Sequence, residues 1–578
     1  MATDQKIENL LNLALDATPE ELEKSLELGV GYEPAQRRWD VIVKYTGDIA
    51  RLQSEQVRVT ELSNEYAIIN LPEELVNDLA NQPEIEYVEK PKRLYFAVEQ
   101  GRAASCINSL QNAQYDLFGQ GVLVAVIDSG VDYFHPDFRN ADGTTRILSL
   151  WDQTATGNPP KGYGIGVEYS KEQIDEALRQ PTREEGYRMV PSRDLSGHGT
   201  QVLGIAAGNG TASAGQHRGV ASQSPLLVVK LGLPAPDSFP RTTELMQAVD
   251  YVIQKAIEYQ LPVVINLSFG TVYGGHDGRG LVETYLDDMA NIWKTTIVVG
   301  TGNEGAAAGH TSGTLEDGQV QEVELGIGAN EVSINLQLWK SYVDQFRVEL
   351  ISPSGQVVGP FQETLGPQRF LAGNTELLVF YGEPSPYNTA QEIYVDFLPR
   401  DNYIDTGIWR IRLTPVRVVD GRFDMWLPAV GALNTGTRFY QPTVDTTLTI
   451  PSTAGKVIAV GAYDSRLMTY APFSGRGYTR MGGQVKPDLV APGVNITTTA
   501  PGGGYTTATG TSFATPFVTG AAAMLMQWGI VDGNDPYLYG MKVRAYLTRG
   551  ARHLSIEREY PNPTLGYGAL CVRDSLPL

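Results

Sequence analysis

Cysteine is scarce in this chain, since Cys106 and Cys571 are the only two among 578 residues. Two thiols cannot build a disulfide framework or a cysteine zinc cage. Neither cysteine belongs to a recognisable cysteine–histidine motif, so we expect both to be inert, apolar side chains. Stability must therefore come from packing, and a content of 42% hydrophobic and 19% charged residues is typical of a chain that folds.

Positive charge is also in short supply. The chain has 45 Lys and Arg residues against 66 Asp and Glu residues, which gives a formal net charge of -21. Such a surface repels phosphate backbones and anionic lipid headgroups. We therefore expect neither nucleic acid nor a membrane to be a partner.

Long apolar runs are missing as well. The longest, Phe517–Val531, is interrupted by polar residues and glycine, and it is shorter than the roughly 20 residues that a membrane-spanning helix needs. The N-terminus mixes acidic with apolar residues and lacks the basic, apolar and small-residue order of an export signal. We expect no membrane span and a protein that is cytoplasmic at synthesis.

Residues 39–90 alternate short strands and helices. An apolar strand at Trp39–Tyr45 precedes a helix-like stretch at Asp48–Ser54, two further strands and the helical sequence PEELVNDLANQ, and Glu84–Val88 completes the unit. The order βαββαβ predicts a small two-layer α+β domain.

From Gly121 the pattern changes to continuous Val, Ile and Leu runs that end in glycine and polar residues. The segments VLVAVIDSG, SPLLVVKLG, LPVVINLSFG, TTIVVGTGNEG and KVIAVGA are typical of strands buried on both faces. Helical segments such as Thr242–Gln260 and Glu283–Trp293 lie between them. This rhythm predicts an α/β fold in which helices cover both faces of a parallel sheet.

The α/β rhythm stops after Gly309 and resumes near Thr449. Segments that alternate polar and apolar residues fill the gap, for example EVSINLQLWK, QFRVELISPSG and QEIYVDFLP. They predict an all-β insertion, a sandwich or jelly roll, in a loop of the host domain. The predicted domains are residues 1–100, residues 101–310 and 448–578 as the two parts of the host, and residues 311–447 as the insertion.

Two motifs offer a carboxylate and an imidazole. Asp128, in VIDSG, follows a predicted buried strand, where a carboxylate can orient an imidazole. The same triplet is also a common strand-ending turn. His198, in SGHGT, lies between glycines that let other groups approach its ring, although it would equally serve as a helix cap.

Two further motifs offer a hydroxyl and an amide. Ser512, in GTSFATP, precedes Pro516, which suits the first turn of a helix and so places Ser512 at a helix N-terminus. Its hydroxyl would otherwise simply cap that helix. Asn303, in GTGNEG, would direct its amide at developing negative charge or occupy a left-handed turn.

Together these motifs resemble the subtilisin family of serine proteases, because Asp, His, Asn and Ser occur in one order with their flanking residues. The resemblance covers about Gly121–Gly309 and Thr449–Leu525, and it includes VIDSGVDYFHPDF, SGHGT, INLSFG, GTGNEG, KPDLVAPG and GTSFATPFVTGAAA. It implies a subtilisin-like α/β fold and hydrolysis of peptide bonds through an acyl-enzyme.

The resemblance also implies a role for each motif residue. Ser512 would be the nucleophile, His198 the general base and then acid, and Asp128 the group that orients His198. The amide of Asn303 and the backbone N–H of Ser512 would bind the oxyanion.

The resemblance further implies that Ser268, Phe269 and Gly270, in INLSFG, pair with the substrate backbone and wall the pocket for the residue before the cut. An ordinary strand end is the alternative. Val229–Gly232 resembles the opposing edge. Neither segment fixes the specificity, because the insertion falls where other pocket-lining residues would lie.

The N-terminal unit resembles the propeptide of the family, which assists folding and blocks the cleft with its C-terminal tail. This implies self-cleavage within Leu94–Ala104, near Gln100; an accessory domain is the alternative. A propeptide, no export signal and an insertion after Asn303 are together most similar to the clostridial germination proteases, the Csp group. That similarity implies a spore-packaged protease that activates a cortex-hydrolase zymogen by limited proteolysis and retains its cleaved propeptide.

No cofactor or metal is expected. Asp137, in HPDF, matches a calcium ligand of the family, but GNGTASAGQHRGVA does not reproduce the usual ligand loop, and calcium needs six or more oxygens. The other histidines lack metal-ligand spacing and are expected to be surface or packing residues.

We therefore interpret the chain as a serine endopeptidase made as a self-cleaving zymogen, with protein or peptide substrates and its own propeptide as partners. Two alternatives stay open. A general cytoplasmic subtilisin of protein turnover would degrade unfolded casein freely. A non-catalytic regulatory or binding homologue would carry the motif residues without reacting with a fluorophosphonate.

Overall fold

The structure is a computed structural model. The residues that it describes are 6–17, 31–62, 65–90, 98–232, 240–364, 366–386, 388–482 and 484–577. The chain forms two compact units, Met1–Tyr95 and Phe96–Leu578. The predicted boundary at residue 100 therefore lies a few residues inside the second unit.

The first unit contains one antiparallel sheet. Its elements are α1 (Asn9–Asp16), β1 (Tyr32–Glu33), β2 (Arg38–Tyr45), β3 (Arg58–Leu62), β4 (Tyr66–Pro72), α2 (Val76–Ala80) and β5 (Ile85–Glu89). Strand β2 pairs with β1, β4 and β5, and β4 pairs with β3. Side chains alternate along β2, so Trp39, Val41 and Val43 are fully buried. The helix predicted at Asp48–Ser54 is only a 3-10 turn, Ala50–Leu52.

The second unit opens with the first half of an α/β domain. Its strands are β6 (Leu123–Asp128), β7 (Ile147–Asp152), β8 (Val167–Ser170), β9 (Leu226–Lys230), β10 (Val263–Leu267) and β11 (Thr295–Gly300). Its helices are α3 (Val98–Ala104), α4 (Lys171–Leu178), α5 (Arg183–Met189), α6 (His198–Ala207), α7 (Thr242–Tyr259) and α8 (Leu281–Met289).

An all-β region follows β11 and consists of two antiparallel sheets. Its strands are β12 (His310–Thr314), β13 (Gln321–Ile327), β14 (Ile334–Ser341), β15 (Gln345–Ile351), β16 (Val357–Val358), β17 (Pro367–Ala372), β18 (Thr375–Tyr381), β19 (Ala390–Pro399), β20 (Gly407–Arg417), β21 (Arg422–Trp426) and β22 (Arg438–Phe439). One sheet has the order β12-β21-β14-β19-β18-β17 and the other β16-β15-β20-β13-β22. Buried residues from both sheets, for example Leu338, Val395 and Ile411, form one core. The jelly-roll connection order stays a prediction.

The chain then returns to the α/β domain. The remaining elements are β23 (Ile458–Asp464), β24 (Thr469–Tyr470), β25 (Leu489–Pro492), β26 (Ile496–Ala500), β27 (Gly504–Ala508), α9 (Thr511–Met526), α10 (Met541–Arg549) and α11 (Val572–Ser575). A π-helical turn, Gln527–Val531, extends α9.

The central sheet has the strand order β24-β23-β11-β10-β6-β9-β7-β8, and β25 also pairs with β23. The five inner pairings of this order and the pairing of β23 with β25 are parallel, and only β24 and β8 run antiparallel. One core joins the sheet to α6 and α9, and a second core joins its other face to α7 and α8. The predicted α/β fold with helices on both faces is confirmed, and Asp128, Ser268 and Asn303 lie at or just after the carboxyl ends of parallel strands.

Helix α9 is the apolar centre of the domain. The helix and its extension, Thr511–Val531, are long and apolar enough to cross a membrane, but 83% of the most apolar stretch is buried inside the protein. Packing against β10, β11 and β23 therefore accounts for its composition.

The two cysteines correct one expectation from the sequence. Cys106 and Cys571 are joined by a disulfide although 465 residues separate them. The backbone N–H of Val572 donates to the carbonyl of Ser105 at 3.0 Å and brings the two segments together. The expectation that both are inert thiols is wrong, because a pairing across the whole unit leaves no trace in local sequence.

Candidate active site

Asp128 and His198 meet at the end of β6. Asp128 is the last residue of the strand and is 4% exposed. Its Oδ1 accepts hydrogen bonds from the backbone N–H of Ser129 and from Nδ1 of His198, both at 2.7 Å. Its Oδ2 is buried and has no hydrogen-bond partner within the described ranges. Burial alone lowers the pKa of His198, but the charge and the hydrogen bond of Asp128 outweigh it, so this pKa lies above its ordinary value. An imidazole held through Nδ1 presents Nε2 as the proton acceptor.

A buried carboxylate, Asp194, positions the loop in front of His198. Its Oδ1 accepts from the hydroxyl of Ser129 at 2.8 Å, and its Oδ2 accepts from the N–H and the hydroxyl of Thr200 at 2.8 and 2.6 Å. The Ser129 hydroxyl in turn accepts from the N–H of Gly199 at 2.9 Å. These bonds tie the start of α6 to the end of β6, and sequence analysis did not find Asp194.

Ser512 is the second residue of α9. The sequence predicted Pro516 in the first turn, but α9 begins at Thr511 and Pro516 lies inside it. Because proline has no N–H, it cannot donate to the carbonyl of Ser512 four residues earlier. That carbonyl accepts instead from the hydroxyl of Ser268 at 3.1 Å, which ties the start of α9 to the strand end that follows β10.

The hydroxyl of Ser512 donates to the carbonyl of Ser268 at 2.9 Å. Within the described part of the chain, no hydrogen bond joins this hydroxyl to His198, whose ring bonds to Asp128. The ring of Phe513 lies 5.4 Å from that of His198. The hydroxyl therefore rests on the edge where the sequence predicts that substrate binds.

Asn303 lies three residues after β11 and is exposed. Its Oδ1 accepts from the backbone N–H of Thr511 at 3.0 Å and from the Thr511 hydroxyl at 3.2 Å. Since the oxygen of the amide is engaged, its Nδ2 is the end left to donate. The N-terminus of α9, with the N–H of Ser512, is next to this amide.

Two residues of the predicted substrate-binding segment, Phe269 and Gly270, border a cleft of about 550 Å³. Phe269 and Gly270 line it on one side, Lys230 and Leu231 on the other, and Asp128 and His198 are among its lining residues. The cleft thus lies between the two edges that the sequence predicts to bind a substrate strand.

The all-β insertion holds the segment that contains Asn303. The N–H of Val430 donates to the Glu304 carboxylate at 3.1 Å, and the N–H of Leu427 donates to the carbonyl of Gly309 at 2.9 Å. The indole of Trp426 is stacked between the imidazoles of His276 and His310, with ring centroids 4.2 and 4.7 Å apart. Burial raises the pKa of Glu304.

Asp137 does not fit the calcium site that the family resemblance implies. Its carboxylate accepts from the N–H of Ala212 at 2.8 Å and from the Tyr505 hydroxyl at 2.7 Å, and its carbonyl accepts from Arg146 at 3.1 Å. Protein donors therefore engage these oxygens, and a buried guanidinium already brings positive charge. In the described ranges no group of three or more His, Cys, Asp or Glu residues could hold a metal ion.

Comparison with known proteins identifies the family of the chain. The profile of the subtilase family matches residues 119–349 and 431–568, and the profile of the Csp protease B prodomain matches residues 5–92. The chain belongs to the subtilase family. The predicted family and its N-terminal prodomain are thereby confirmed, and the family is one of serine endopeptidases.

Three individual relatives are similar to this subtilase over most of its length. The structure of the Clostridium perfringens CspB protease is 38% identical, with a TM-score of 0.76, over 82% of this chain and 96% of that one. The PIII-type proteinase of Lactococcus lactis subsp. cremoris (strain SK11) is 26% identical over 74% of this chain but 23% of its own length. The minor extracellular protease Vpr of Bacillus subtilis (strain 168) is 26% identical over 71% of this chain and 46% of its own. This chain thus covers about a quarter of the length of the lactococcal proteinase.

Proposed function

We propose that this subtilase is a serine endopeptidase made as a self-cleaving zymogen. The observation that carries the proposal is the 2.7 Å contact between Nδ1 of His198 and Oδ1 of Asp128, made beside the helix N-terminus that presents Ser512. An oriented imidazole next to a hydroxyl and a free amide donor is the arrangement that acyl transfer requires.

The proposed reaction proceeds through an acyl-enzyme. His198 Nε2 takes the proton of Ser512 as its Oγ attacks the carbonyl carbon of the peptide bond, and Asp128 stabilises the imidazolium. The tetrahedral oxyanion accepts hydrogen bonds from the amide of Asn303 and the backbone N–H of Ser512. His198 then gives its proton to the leaving amine, and a water molecule hydrolyses the ester by the same route.

Substrate binding would also prepare the nucleophile. An extended substrate pairs its backbone with Ser268–Gly270, and a substrate N–H then donates to the carbonyl of Ser268. That carbonyl at present accepts from the Ser512 hydroxyl at 2.9 Å. Loss of this acceptor frees the hydroxyl to turn towards His198, so the nucleophile is activated when the cleft is filled.

The zymogen proposal draws on the N-terminal unit. This unit has its own buried core, and the Csp protease B prodomain matches residues 5–92 of it. The predicted processing span, Leu94–Ala104, lies partly outside the described residues, and its remainder forms α3, which carries Gln100. We place the cut near Gln100, with the cleaved propeptide retained.

From the resemblance to the Csp group we further propose a spore-packaged enzyme, cytoplasmic at synthesis, that activates a cortex-hydrolase zymogen by limited proteolysis. The two-sheet insertion, proposed as a jelly roll, would stabilise the Asn303 segment through Val430 and Trp426.

Incubation with unfolded casein and with a native zymogen separates the alternatives. Cleavage of one native target supports the proposal, unrestricted casein degradation favours a general turnover protease, and no reaction with a fluorophosphonate favours a binding homologue.

The Asn303→Ala variant should acylate about 10² to 10³ times more slowly than wild type, because it lacks one oxyanion donor. The measurement is kcat/KM for a peptide substrate, with circular dichroism to check folding. Asn209→Ala is the matched control, since Asn209 lies outside the cleft and its amide donates to the Arg139 carbonyl. Unchanged turnover in Asn303→Ala would remove this residue from the site.

Activity should rise with pH through the pKa of His198. The neutral imidazole is the base, and Asp128 holds the pKa of His198 above its ordinary value, so the protonated, inactive form persists to higher pH than for a free histidine. The measurement is the pH profile of kcat/KM from about pH 5 to about pH 9, whose lower limb should bend above about 6.5. A flat profile would contradict the role of His198 as the base.

A further inference from the structure

One disulfide links the two ends of the second unit. Cys106 lies two residues after α3, and Cys571 directly precedes α11. The bonded residues are 465 positions apart, and the insertion and most of the α/β domain lie between them. The bond therefore closes most of the unit into one covalent loop.

Close packing and hydrogen bonds hold α3 in place. A Cβ atom built on Gly101 would lie 2.6 Å from the ring of Phe517, so α3 approaches α9 as closely as a glycine allows. The guanidinium of Arg102, which is 5% exposed, donates to the carbonyl of Arg218 at 3.1 Å. Helix α3 therefore covers part of the helix that carries Ser512.

The C-terminal end of the unit is held against the residues that follow α3. The N–H of Val572, the first residue of α11, donates to the carbonyl of Ser105 at 3.0 Å, and the guanidinium of Arg552 donates to the carbonyl of Ala104. Cys571 is only 1% exposed. The two end segments thus contact each other beside the disulfide.

Neither terminal helix is long enough to be stable by itself. Helix α3 has seven residues and α11 has four, whereas isolated helices shorter than about 12 residues are marginal in water. Cys106 also has a φ of 55°, in the left-handed region that costs free energy for a residue other than glycine. Chain ends of this kind fray and are preferred sites of proteolytic nicking, so both ends would open more often without the covalent bond.

We infer that the Cys106–Cys571 disulfide is a redox-sensitive staple, which keeps both ends of the processed protease docked and prolongs its lifetime. A dithiol reductant supplies two electrons and two protons, so the S–S bond becomes two thiols while the dithiol becomes a disulfide. The reduced ends then fray, Phe517 loses its cover, and the protease becomes a substrate of itself. The fraying is independent of the proposed function, whereas the self-digestion rests on it.

The first test uses the Ser512→Ala chain, which should not digest itself. Its thermal unfolding midpoint is measured by circular dichroism before and after addition of dithiothreitol, and the mass after alkylation reports whether the cysteines are bonded. Reduction should lower the midpoint by about 5 °C or more, because the cross-link restricts the unfolded chain. The chain has no third cysteine, so dithiothreitol has no other disulfide to reduce within it.

Cys106→Ser and Cys571→Ser, each made in the Ser512→Ala chain, are the matched controls. Each variant should unfold at the midpoint of the reduced chain, and dithiothreitol should not lower that midpoint further. Cysteines that stay unbonded in the presence of oxidised glutathione would overturn the inference. A midpoint that reduction leaves unchanged would overturn it as well.

The second test follows the activity of the processed wild-type protein. At about 25 °C dithiothreitol should change kcat/KM for a peptide substrate by less than about twofold, since neither cysteine lines the cleft. At about 45 °C it should shorten the half-life of activity at least about tenfold. An active protein whose half-life does not change contradicts the inference, whereas a lowered Ser512→Ala midpoint without any hydrolysis by wild type supports the staple and overturns the proposed function alone.

Discussion

The Ser512→Ala variant should lose about 10⁶-fold in peptide hydrolysis, the size of the loss when subtilisin is deprived of its nucleophile. The variant keeps Asp128, His198 and the amide of Asn303, but it has no oxygen that can form the acyl-enzyme. Wild type should react with a fluorophosphonate at Ser512, and the variant should not. The measurement is the mass of the labelled chain and of the labelled tryptic peptide.

Ser354→Ala is the matched control for this experiment. Ser354 is an exposed serine in a turn of the insertion, where its hydroxyl pairs with that of Ser352 at 2.8 Å. Its partner is a serine hydroxyl and not an imidazole, so its removal should leave both the label and the hydrolysis rate unchanged. Equal labelling of Ser512→Ala and wild type would show that another group reacts.

The Asp128→Asn variant should hydrolyse peptides about 10⁴-fold more slowly than wild type. The amide keeps the size of the carboxylate but can turn an N–H towards Nδ1 of His198, which favours the tautomer that carries its proton on Nε2. That tautomer cannot accept the proton of Ser512. The measurement is kcat/KM at a pH above the limb set by His198, so that protonation of the ring does not contribute.

Asp152→Asn tests whether any buried carboxylate at a strand end has the same effect. Asp152 ends β7 as Asp128 ends β6, it is 3% exposed, and its partners are Thr154 at 2.6 Å and Lys230 at 3.6 Å. Neither partner is an imidazole, so this variant should hydrolyse peptides nearly as fast as wild type. Equal losses in the two variants would mean that Asp128 acts through the fold and not through His198.

Elements with a strong local pattern could be predicted from the sequence. Helix α7 begins at Thr242 as expected and ends one residue before the expected Gln260, because its apolar face recurs with a clear helical period. The inner strands of the central sheet were equally clear, since strands buried on both faces are continuous apolar runs. In the insertion, the short strands β16 and β22, of two residues each, were not predicted, because so few residues carry no period.

Site residues that lie in a short sequence motif could be predicted, whereas those that depend on a contact between distant segments could not. Asp128, His198, Asn303 and Ser512 each lie in a short motif with glycine neighbours. The bond from the Ser512 hydroxyl to a carbonyl, the buried Asp194 and the disulfide of Cys106 depend on segments that are distant along the chain.

The most direct test of the central claim is the intact mass of wild type beside Ser512→Ala, both expressed from Met1 in the same host and analysed under denaturing conditions. The account predicts that only wild type divides into a piece of about 100 residues and the remainder. The disulfide does not join these pieces, because Cys106 and Cys571 both lie after the predicted cut. If wild type and Ser512→Ala both stay whole, or if both are cut alike, the result would contradict self-processing through Ser512.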